Sequence, residues 1–81
     1  MTTATWLPIP GFSLYEINND GVVRYRTNLT KSSLRPYRGQ FIQLLADDTD
    51  NPYYHMYSDA KQAQVTVDLN WLLKLVFNRT D

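Results

Sequence analysis

Apolar residues recur with two different periods along this chain, and each period predicts its own element. Two β-rich runs, Leu14-Tyr-Glu-Ile-Asn18 and Val22-Val-Arg-Tyr-Arg26, flank Asn19-Asp20-Gly21, a strong hairpin signal. A two-residue loop would set Ile17 opposite Arg24. A three-residue loop ending on Gly21 in the left-handed region instead pairs Ile17 with Val23, Tyr15 with Tyr25 and Glu16 with Arg24. The second register is expected, because it gathers Tyr15, Ile17, Val23 and Tyr25 on one core face and lets Glu16 partly neutralise Arg24. Upstream, Trp6-Leu-Pro-Ile-Pro10 cannot be helix interior and predicts an extended lead-in, with Gly11 free to turn.

Residues 27–36 have no periodicity and predict a polar loop. Residues 37–45 read as a strand with Gly39 as a bulge, and 47–52 as a turn, since Asx side chains bond nearby backbone and Pro52 sets the exit. Residues 53–57 suit a strand returning against 40–45; 58–64 form a second loop, and 65–67 a short strand or helix approach. Asp68 is placed to cap a helix running from Leu69 to about Asn78.

In that helix Leu69, Leu72, Leu73, Val76 and Phe77 form one apolar face, and only Asn70, Lys74 and Asn78 are polar. A segment this short cannot stand alone in water and must dock on the sheet. Trp71 and Leu75 exceed what one docked face needs: either the helix is sunk deeply, or these two side chains meet another chain. The expected fold class is α+β, a small antiparallel β-sheet packed by a C-terminal helix, with residues 1–81 as a single small domain.

Composition sharpens this picture in three ways. Eighty-one residues cannot be split into two cores without dropping below the roughly 40 at which chains stop folding unaided. With no cysteine there is neither a disulfide staple nor a thiolate nucleophile. No apolar run approaches the ~18 residues of a membrane span, and the first six residues lack the pattern of a signal peptide, so a cytoplasmic protein without membrane contact is expected.

Net charge is zero, but its distribution is uneven. Residues 21–43 hold Arg24, Arg26, Lys31, Arg35 and Arg38 with no acid, whereas residues 44–70 hold five aspartates against Lys61. Tyr25 and Tyr37 interleave with the bases, an arrangement that gives phosphate attraction beside stacking surface; a solvated face is the plainer use of the same charges.

The string Trp6-x-x-Ile9-Pro10-Gly11-Phe12, followed by Tyr15-Glu16-Ile17-Asn18-x-x-Gly21-x-Val23-Arg24, resembles the type-four nuclease-associated modular domain of phage HNH homing endonucleases. Leu69-Asn-Trp-Leu-Leu-Lys-Leu-Val-Phe77 has the apolar spacing of that family's following helix, although Asn70 and Trp71 stand where the family has a His-Arg pair. The resemblance implies a DNA-positioning module of phage type acting in a bacterial host's cytoplasm. It further implies that the module is detached from its nuclease, as the chain reaches Asp81 about where the catalytic segment would begin.

Catalytic chemistry is not expected. A metal-dependent nuclease needs several ligands around one ion, and His55 is the sole histidine, set in an aromatic strand pattern that favours a strand-surface role. Asp48-Thr-Asp50 begins like a calcium loop, but Tyr53 occupies the sixth position and Asp59 the twelfth. No cofactor or metal is expected. Two functions follow. In the first, Arg24, Arg26, Lys31, Arg35 and Arg38 contact DNA phosphates while Tyr37 or Gln40 touches bases. In the second, a small phage protein binds and modulates a host protein, or a second copy of itself, through Trp71 and Leu75.

Overall fold

The structure, a computed structural model, describes residues 5–78. Strands β1 (Trp6–Ile9), β2 (Phe12–Asn18) and β3 (Val23–Tyr25) form one antiparallel sheet in that order; β4 (Leu45–Ala46), β5 (Pro52–Ser58) and β6 (Ala63–Asp68) form a second. A 3-10 turn spans Arg35–Tyr37, and helix α1 (Leu69–Phe77) follows β6 directly. The α+β class is as expected, with two sheets in place of one.

The β2–β3 hairpin has the expected register: Tyr15 opposite Tyr25, Glu16 opposite Arg24, Ile17 opposite Val23. Gly21 closes its loop at φ +85°, donating its N–H to Asn18 O. Buried Asn18 braces the same loop, its Oδ1 accepting the N–H groups of Asp20 and Val22 at 2.9 and 3.0 Å. Each bond satisfies a turn donor, which is why a short amide side chain suits this position.

Residues 37–45 are not one strand. Pro36 lies inside the 3-10 turn, and Gly39 takes φ +71°, which breaks extended geometry. The backbone then follows the outer edge of β3, where Tyr25 donates to Gln40 O, and Gly39 and Ile42 donate to Tyr25 O and Val23 O. Only at Leu45 does the chain join the second sheet, opposite Tyr53. Of residues 53–57 only Tyr53 therefore meets β4, at Leu45; β5 pairs from Tyr53 to Ser58 with β6, a six-residue strand that holds residues 65–67 and shortens the expected 58–64 loop at both ends.

Inward residues of both sheets form one core with the helix: Tyr15, Ile17 and Val23 meet Met56, Tyr54 and Leu72, all nearly inaccessible. Polar links tie the layers. Tyr54 donates its hydroxyl to Gly21 O at 2.7 Å, Tyr57 donates its N–H to the Tyr15 hydroxyl, and Asp59 takes both the N–H and the hydroxyl of Ser13. Asp68 caps α1, accepting the Trp71 N–H at 2.9 Å, and Asn78 ends it in the left-handed region. The helix is not sunk on all sides: Leu72 is fully buried, but Trp71 and Leu75 are 49% and 42% exposed.

Candidate functional site

The acid-free stretch of the chain folds into a loop that braces itself. From Tyr25 the chain leaves β3, crosses a polar segment and returns through the 3-10 turn to the same strand edge. Arg35 donates its Nε to Thr30 O at 3.2 Å, and Arg38 donates its Nε to the carbonyl of Leu29. Two guanidinium groups are thus held at successive carbonyls, and the terminal nitrogens of neither make a hydrogen bond among the described residues. Both arginines are exposed, as is Lys31, whose carbonyl takes the N–H groups of Leu34 and Arg35. Gln40 donates its side-chain amide to Pro36 O, which closes the far side of the loop.

Arg24 stands apart from the other bases. It pairs with Glu16, as the hairpin register implied, and its guanidinium carbon lies 3.7 Å above the ring centre of Trp6. Phe41 stacks on the same Trp6, 6.4 Å away and 12° from parallel. Arg24 is therefore part of a cross-strand cluster on the outer face of the first sheet, gaining cation–π contact and one carboxylate. Arg26 is half-buried at the end of β3, with its N–H donated to Leu14 O. Glu16–Arg24 is the sole ion pair among the described residues, so the aspartates of 47–59 do not neutralise Lys31, Arg35 or Arg38 by direct contact.

Beside the loop lies a tyrosine stack. Tyr15 and Tyr25 have ring centres 4.9 Å apart, and Tyr25 and Tyr37 are 5.4 Å apart, tilted by 38° and 34°. The stack runs from the core to the surface, ending on Tyr37 at 45% exposure. Its inner member is held firmly: burial pushes the Tyr15 phenol up to about 12, the Tyr57 N–H acting in the opposite direction.

Elsewhere the side chains have structural work. His55 is exposed on β5, edge-on to Tyr53 at 5.5 Å, with Nδ1 3.4 Å from the Thr66 hydroxyl. Asp47 organises the 47–51 turn through Thr49 and Asn51, and the Thr49 hydroxyl holds its carboxyl below the usual range. No cluster of three His, Cys, Asp or Glu able to hold a metal occurs among the described residues. No helix among them is long and apolar enough to cross a membrane.

The sequence pattern marked the bases and Tyr37 but not the carbonyls of Leu29 and Thr30 that hold two of those bases, nor the distant Tyr57 and Gln64 that the fold brings beside Tyr37. The aromatic content of residues 53–57 was the one available signal for Tyr57. Trp71, at i and i+4 with Leu75, joins Phe12, Val65 and Val67 in a second, apolar groove of about 420 Å³. Compared with protein-family models, curated proteins and solved structures, the chain has no match in any of the three.

Proposed function

We propose that this chain binds DNA without cutting it, the 27–40 loop gripping phosphates. One observation carries this: Arg35 and Arg38 are each fixed through Nε to a loop carbonyl, are exposed, and make no ion pair among the described residues. A guanidinium pinned in this way loses little rotamer freedom when a phosphate oxygen arrives, and its planar fork suits that ligand. Lys31 and Arg26 add charge on the same side of the sequence. The resemblance of the Trp6–Arg24 string to the nuclease-associated module supports the same assignment. About four such contacts give affinity near the nonspecific range, roughly 10⁻⁴ to 10⁻⁶ M at physiological salt.

The test is a salt titration of duplex binding. About four phosphate contacts give a slope of log K against log salt near −3.6. A slope near zero, or failure of duplex and single-stranded DNA alike to bind at low salt, overturns the assignment.

A second reading rests on a separate observation, the exposure of Trp71 and Leu75, with Trp71 lining the apolar groove of Phe12, Val65 and Val67. Trp is the commonest anchor of protein interfaces, and the pair suits contact with a host protein or with a second copy.

A further inference from the structure

We infer that the tyrosine groove beside the basic loop receives an unpaired nucleobase, so that the preferred ligand is single-stranded rather than duplex nucleic acid. This rests on the phosphate-binding role proposed above and names the substrate class of that same surface.

The groove has a volume of about 390 Å³, within the range of small-molecule sites, and opens to solvent. Tyr15, Tyr25, Tyr37 and Tyr57 line it, with Lys31 and Gln64 contributing polar groups from the loop and from β6. Its aromatic wall is rigid where it must be: Tyr15 is buried, with its hydroxyl engaged by the Tyr57 N–H, and Tyr25 is stacked between Tyr15 and Tyr37. Tyr37 leaves nearly half of its surface free, so a base laid against it would meet a π-face already held by a neighbour.

The polar groups argue for a nucleotide over an apolar side chain. Lys31 supplies the cation for a flanking phosphate, and its loop carries Arg35 and Arg38 for the next ones along the strand. The Gln64 amide makes no hydrogen bond among the described residues and offers both a donor and an acceptor to a base edge. A basic track beside exposed aromatic rings is the physical scheme by which single strands are held, since every base has a π-face but a paired base does not present it. Among the described residues no acidic side chain lines the groove to oppose a phosphate.

The experiment compares three labelled probes at one low salt concentration: a short thymidylate strand, a strand of equal length and charge with abasic sugars, and a duplex. The thymidylate strand should bind roughly tenfold more tightly than the abasic strand. Tyr37→Ala should bring it down to the abasic level while leaving abasic affinity unchanged, and Tyr37→Phe should retain the wild-type preference. Equal binding of thymidylate and abasic strands, or equal loss on both in Tyr37→Ala, overturns the base site and leaves phosphate binding standing. A duplex bound more tightly than the thymidylate strand does the same. Failure to bind any of the three overturns both.

Discussion

The Tyr15 hydroxyl in β2 accepts the backbone N–H of Tyr57 in β5 at 2.9 Å, so a side chain of one sheet satisfies the main chain of the other. The same burial that makes this bond useful makes the phenolate form of Tyr15 unfavourable, with a pKa pushed up to about 12. An unfolded tyrosine titrates near 10, so between about pH 10 and pH 12 the unfolded chain holds fewer protons than the folded one and stability falls as pH rises. Tyr54, raised by burial as well, acts in the same direction. Unfolding free energies from urea titrations at pH 8.5 and 11.5 should differ by on the order of 2 kcal/mol, the alkaline sample being weaker. Tyr15→Phe should be less stable at the lower pH, having left the Tyr57 N–H unpaired, and should lose part of the alkaline decline.

Two turn glycines separate backbone strain from packing. Gly11 and Gly21 both lie at positive φ, +82° and +85°, but a Cβ on Gly11 meets nothing within 4 Å, whereas one on Gly21 would stand 3.3 Å from Leu69 Cδ1. Gly11→Ala should therefore cost about 1–2 kcal/mol from the left-handed backbone alone. Gly21→Ala should cost more, by about 1 kcal/mol, because the helix must also give way. Equal losses in chemical denaturation would show that Leu69 moves freely.

Arginines that serve different ends should respond differently to removal. Arg38→Gln should reduce the salt slope of duplex binding by about 0.9 and leave the melting temperature nearly unchanged. Arg24→Gln should leave the slope alone but lower stability by about 1 kcal/mol, since it breaks the Glu16 pair and the Trp6 contact together. A lowered slope in Arg24→Gln would move that residue into the binding surface.

The Trp71→Ala, Leu75→Ser double variant examines the apolar patch. Both residues are roughly half exposed, so the isolated domain should stay folded, by circular dichroism, with a loss under about 2 kcal/mol. If the patch is an interface, sedimentation should show the wild type associating and the variant monomeric. A wild type that is monomeric at high concentration and captures no partner through these residues excludes the second reading.

Much of the fold could be read from local pattern. The β2–β3 register followed from Gly21 and from period-two alternation, and the α1 start from Asp68, because each depends on residues a few positions apart. Residues 37–45 depart from the single strand their pattern predicts because a β-rich run does not reveal which sheet it joins: Gln40 and Ile42 bond to β3, and Leu45 pairs with β5. Within the candidate site the cluster of bases was visible in the sequence, yet the separate duty of Arg24 depends partly on Trp6, eighteen positions away in sequence, and on the later Phe41. Gln64 reaches the tyrosine groove from another sheet, and no local pattern points there.

Among the described residues strand β6 ends its sheet, with β5 on one side and no strand on the other. In the first sheet β1 carries Pro8, which offers no N–H, and residues 39–42 run along β3. A protein of zero net charge has little long-range repulsion to keep copies apart near neutral pH. Colloidal behaviour should then depend on this edge, where Lys61 in the turn before β6 and Asp68 at its end bracket the alternating Gln64-Val-Thr-Val67 with charge. Neutralising both charges should make this edge the starting point for strand-to-strand aggregation during concentration or storage.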